Sequence, residues 1–139
     1  MVIVRLLATA AVGIGLAFPA ASSDPHPRTV NDLVAAITAK GLGCQDFQPA
    51  APPLETSEGS CTVGHEFGVA LDVLASHAAL VKQMPKAVKA VCSELKQAKS
   101  SVKLVFVVGS NWVATFESAV NARPLAKALT GKVQPLRCS

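Results

Sequence analysis

The chain has 139 residues, with 13 Lys and Arg against 9 Asp and Glu, a formal charge of +4 and no Tyr. Half of its residues are hydrophobic and only 4% are aromatic. So mild a charge singles out no partner, and so few aromatics argue against a base-stacking nucleic-acid surface or a carbohydrate platform.

The first residues, MVIVRLLATAAVGIGLAFPAASSDP, carry one charge, Arg5, then an apolar run from Leu6 to Phe18, then small residues. That is the layout of a secretory signal peptide, read here over residues 1–23. The apolar run, about 13 residues, is shorter than the roughly 20 that cross a bilayer. Small residues around Ala20, Ala21, Ser22 and Ser23 place cleavage between Ala21 and Asp24. No cysteine lies near that point, which argues against a lipid anchor, and no later stretch is long enough to span a membrane. About 116 residues remain, which suits one domain with a modest core. Without Arg5 the count is 12 basic against 9 acidic residues, a net charge near +3.

Residues 24–28 are a Pro-rich leader, expected to be disordered. Thr29 reads as a helix N-cap with Asp32 in the first turn. Val30, Leu33, Val34 and Ile37 recur at helical spacing until Gly41, which predicts a helix over 30–40. CQDF, 44–47, is a short strand candidate, and PAAPPLETSEGS, 49–60, reads as an exposed loop. Cys61 opens a strand that ends at a Gly64-His65 turn. Glu66 to Leu74 alternates, with Phe67, Val69, Leu71 and Val73 on one face.

Ser76 can cap a helix over 77–98. Its apolar stripe is Leu80, Val81, Met84, Val88, Val91, Cys92 and Leu95, with Lys82, Lys86, Lys89 and Lys96 on the opposite side. Pro85 should kink or split it near residue 84. Val102 to Val108 is apolar except at Lys103 and reads as a central strand covered on both faces. Gly109-Ser110-Asn111 is a turn in which Gly109 and Asn111 can take positive φ. Trp112 to Phe116 is the return strand. Asn121 or Arg123 caps a last helix ending at Thr130, with Pro124 in its first turn and Gly131 after it. The tail VQPLRCS is extended. The order α-β-β-β-α-β-β-α predicts one α+β domain over 29–139. Its sheet is mainly antiparallel, of four to five short strands, with helices packed on one face.

Cys44, Cys61, Cys92 and Cys138 all lie beyond the signal segment, and an even number in a small exported chain predicts two disulfides. Their spacings match no zinc signature. Three pairings are open. The favoured one joins Cys44 to Cys61, tethering the Pro-rich loop, and Cys92 to Cys138, clamping the tail to the core.

Chemistry is sparse. His26, His65 and His77 share no element, so no metal site is expected, and no cofactor motif occurs. Ser110 lies in G-S-N between strands, not in a nucleophile elbow. Glu55 and Glu58 fall in the loop, where they aid solubility. Trp112 is either a plug at the hairpin mouth, its indole N–H seeking a carbonyl or water, or part of a ligand surface. The lysine stripe is either a solvated helix face or a contact for an anionic surface, weakened by salt.

A signal segment, a helix ending in AKGLGC, a Pro-rich gap, GSC opening a strand, a long helix and VVGSNW make a familiar combination. It resembles small secreted proteins and lipoproteins of actinobacteria that carry no assigned activity. The lipobox cysteine of the lipoprotein members is missing here. The resemblance implies an exported, non-enzymatic α+β domain.

The sequence-based expectation is therefore a secreted or cell-wall-associated monomer that acts by binding, without cofactor or nucleic acid. Its partner is a protein or an anionic envelope component, met through Lys82, Lys86, Lys89, Lys96 and Trp112. The alternative is an inhibitor of a protease-type enzyme acting through the 49–60 loop.

Overall fold

The computed structural model describes residues 24–138; the signal-peptide reading of residues 1–23 lies outside them. Helix α1 is Val30–Ala39. Its start follows from Thr29, whose hydroxyl accepts the Asp32 N–H at 3.2 Å while the Asp32 carboxylate accepts the Thr29 N–H at 3.3 Å. This reciprocal capping box satisfies two backbone donors that the helix cannot. Strands β1 (Gln45–Pro49), β2 (Glu58–Val63) and β3 (Glu66–Val73) follow, then α2 (His77–Gln97), β4 (Val105–Val108), β5 (Trp112–Phe116), α3 (Ala119–Leu129) and β6 (Lys132–Pro135). One sheet runs in the order β1-β2-β3-β5-β4-β6, and every neighbouring pair is antiparallel.

The fold is α+β, as expected, and both favoured disulfides are present, Cys44–Cys61 and Cys92–Cys138. The sheet has six strands rather than four or five. The sixth is the tail: Val133 pairs with Val107 and Pro135 with Val105. Every residue of β6 is exposed, so it has no apolar alternation for a sequence reading to find.

The helices occupy both faces of the sheet, not one. Val69, Leu71, Val107, Trp112, Ala114 and Phe116 face α1 and α3, where Leu33, Ile37, Leu125 and Leu129 complete the main core. Phe106 and Val113 point the other way and meet Leu80 of α2. The physical reason is in β4: with Val105, Phe106 and Val107 all buried, a strand that is apolar at consecutive positions needs cover on both sides.

Four local readings are corrected. The inward face of β3 is Val69, Leu71 and Val73, while Phe67 is 82% exposed. Cys61 pairs with Val69 but Val63 with Glu66, so β3 holds one extra residue. Gly68 at φ +65° lies in that bulge, which reverses the alternation and turns Phe67 outward. Helix α2 is not split at Pro85 but continues through it to Gln97. Helix α3 begins at Ala119, because Ser118 Oγ accepts the Val120 N–H, so Pro124 sits mid-helix. Within the 49–60 stretch, Pro49 belongs to β1 and Glu58, Gly59 and Ser60 to β2. The remaining loop is tied down by Val30 N–H to Thr56 O at 2.8 Å and Glu58 N–H to Leu54 O at 2.9 Å.

Candidate functional site

Trp112 is the plug, not a ligand surface. It is fully buried, and its Nε1 meets no protein carbonyl. Neither Gly109 nor Asn111 takes positive φ. Gly109 is required for a different reason: a Cβ there would lie 2.0 Å from Trp112 Nε1. Trp112 therefore leaves the predicted interaction surface.

The residues before α1 are hydrogen-bonded to the turn at 110–111. Pro27 is buried, and its carbonyl accepts a 2.7 Å bond from Asn111 Nδ2, which also donates to Leu74 O at 3.0 Å. Ser110 Oγ lies 2.9 Å from His26 Nδ1 and 3.1 Å from Pro25 O. His77 Nδ1 donates to Ser110 O at 2.6 Å. The fold thus brings together two histidines that are far apart in sequence. Ser110 Oγ meets His26, the Pro25 carbonyl and Asn111 Oδ1, so these groups latch the leader to the turn rather than poise a nucleophile. Among the described residues no group of three or more His, Cys, Asp and Glu could hold a metal ion.

Lys82, Lys86, Lys89 and Lys96 are all exposed along the outer side of α2. Two cations not singled out in the sequence join them. Lys103, ahead of β4, and Arg137, after β6, line a concavity of about 770 Å³ together with Lys89 and Lys96. The Cys92–Cys138 bridge holds the last turns of α2 beside the tail and so gathers these charges. No hydrophobic period marks Lys103 or Arg137; the pairing of β4 with β6 sets them side by side and the Cys92–Cys138 bridge holds them near the helix. No protein-family model, no curated protein and no solved structure matches the chain. Its function is therefore argued from these surfaces. Among the described residues no helix is long and apolar enough to cross a membrane.

The inner side of α2 is different. Leu80 is its one fully buried residue, and Val81 is 57% exposed. Beneath the middle of the helix a groove of about 620 Å³ is floored by Phe106, Val113 and Thr115 and walled by Met84, Ala87 and Val91. Glu58 and Asp72, directly opposed on β2 and β3, close one end. Burial pushes the Asp72 carboxyl up from 3.8 to about 6, and the charge of Glu58 adds to the push. Glu58, read from sequence as a loop residue that aids solubility, is thus half-buried in a strand.

Proposed function

We propose that this is an exported, non-enzymatic binding protein that holds an anionic component of the cell envelope against the basic outer side of α2. The observation that carries the reading is the exposed row Lys82, Lys86, Lys89 and Lys96, of which Lys89 and Lys96 share one concavity with Lys103 and Arg137. Like charges this close repel one another and raise the local potential, so a polyanion gains more here than at scattered lysines. Export rests on the leader sequence. The test is retention of the protein on isolated envelope at low and high salt. Wild type should be retained at low salt and released at high salt. The K82E/K89E/K96E variant should fail at both.

The second reading, an inhibitor of a protease-type enzyme, is favoured by the loop at 50–57. Leu54 is 46% exposed at its tip while its backbone is hydrogen-bonded within the loop and to α1. An ordered loop with an exposed anchor loses little entropy on binding. Leu54→Asp should then abolish inhibition of a panel of secreted proteases. Inhibition unchanged in that variant removes this reading.

A further inference from the structure

The inner side of α2 carries a site of its own. A helix of 21 residues with one fully buried side chain is weakly seated for its length. It is pinned by Leu80 near its start and by the Cys92–Cys138 bridge near its end. Between the pins only Met84 and Val88 pack, partly buried, against Phe106 and Val113, and the groove opens beside that contact. Its volume, about 620 Å³, falls in the range of small-molecule pockets.

The chemistry of the lining names the occupant. The floor and walls are apolar: Phe106, Val113, Leu80, Met84 and Val91. The end wall holds two carboxylates facing each other across β2 and β3. In a chain whose overall charge is positive, this is a local negative end on an apolar trough. We propose that the groove binds a small amphiphilic amine, its ammonium seated between Glu58 and Asp72 and its apolar part laid along Met84 and Val91.

A cation at that point relieves the repulsion between the two carboxylates and compensates the desolvated Asp72, which no neutral or anionic amphiphile can do. The titratable groups facing Asp72 are Glu58 on β2 and Lys86 on α2; β4 and β5 present only Phe106, Val113 and Thr115. Lys86 at the rim does not hold the acid down, since the influences on Asp72 are burial and then Glu58, both favouring the neutral form. Binding of an amine should therefore weaken as pH falls through about 6. The two readings share Lys86, but the K82E/K89E/K96E variant touches no residue of the groove lining and so separates them.

The test is calorimetric titration with three probes of equal chain length, each below its micelle concentration: decylamine, decanol and decanoate. Decylamine should saturate one site, decanol should bind about tenfold more weakly, a difference of roughly 1.4 kcal/mol, and decanoate should not bind. Asp72→Asn should lower decylamine affinity about tenfold and leave decanol unchanged. Glu58→Gln serves as the second charge variant should Asp72→Asn not fold. Ala87→Trp, on the exposed rim of α2, should block both probes. Equal affinity for all three probes, no binding of decylamine, or full binding to the Ala87→Trp variant would each overturn the proposal.

Discussion

The indole of Trp112 lies so close to the backbone of Gly109 that a Cβ on the glycine would fall 2.0 Å from the ring. The Gly109 N–H donates to Trp112 O at 2.9 Å, so the turn closes on its own aromatic. A Cβ on Gly131, just after α3, would fall 2.8 Å from Val107 Cγ1 and 3.2 Å from the far edge of the same ring. Trp112 is thus clamped between two glycines that have no room for a side chain. Gly109→Ala should destabilise the fold by about 3 kcal/mol or more, through overpacking rather than backbone strain. Chemical denaturation checks this. In the wild type, Trp112 emission should be blue-shifted and resist acrylamide; a red, quenchable emission would contradict the packing.

The bulge in β3 makes a prediction that sequence alternation gets wrong. Phe67→Ser should change stability by no more than about 0.5 kcal/mol, since the ring is already in water. Leu71→Ala, four residues on and fully buried, should cost about 2–5 kcal/mol. Denaturant midpoints of the two variants separate the readings. Comparable losses would restore the plain two-residue alternation.

Asn111 joins three segments through one amide. Its Nδ2 donates to Pro27 O and Leu74 O, and its backbone carbonyl separately accepts the Leu74 N–H at 2.8 Å. Asn111→Ala leaves two acceptors unmet and should cost about 2–4 kcal/mol. Asn111→Asp should be worse, because a carboxylate cannot donate to either carbonyl. Hydrogen exchange should show the residues before α1 losing protection in both variants. An Asp variant as stable as wild type would contradict the bonding pattern.

Much of this architecture is legible in the chain because the cues are local. The Thr29 and Asp32 pair fixes the start of α1, and Ser76 fixes that of α2, each by hydrogen bonds within one turn. The alternation that fails at Phe67 fails because a bulge is a property of two paired strands, and one strand cannot declare it. The exposed β6 has no apolar period at all. The cap of α3 is not legible because Pro124 looks like a first-turn residue, whereas packing of Ala122, Leu125 and Leu129 sustains the helix across it. Of the candidate surface, the α2 lysines are readable as one helical stripe. The nearby Lys103 and Arg137 are not, and neither is the opposition of Glu58 and Asp72, because both depend on strand register.

Asp72 gives the fold a pH dependence of unusual sign for a carboxylate. Its folded value, about 6, lies above its ordinary 3.8. Above about 6 the folded state must hold a charge in a partly apolar groove, whereas between about 4 and 6 it binds a proton the unfolded chain does not. This group therefore costs stability at neutral pH, and the cost disappears as pH falls towards 4. Asp72→Asn should raise stability by about 1–2 kcal/mol at pH 7.5, allowing for partial solvent access, with no gain near pH 4. Paired melts at the two pH values check it. A variant less stable than wild type at pH 7.5 would show that the carboxylate is favourably partnered.

The central claim is that the basic outer side of α2 binds an anionic envelope component. It is tested most directly by binding of purified wild-type and K82E/K89E/K96E protein to isolated cell envelope across a salt series. The account predicts that wild-type affinity falls steeply as salt rises, that the variant shows little binding at any salt, and that both melt within a degree or two of each other. Equal binding by the two proteins, or wild-type binding indifferent to salt, would contradict it.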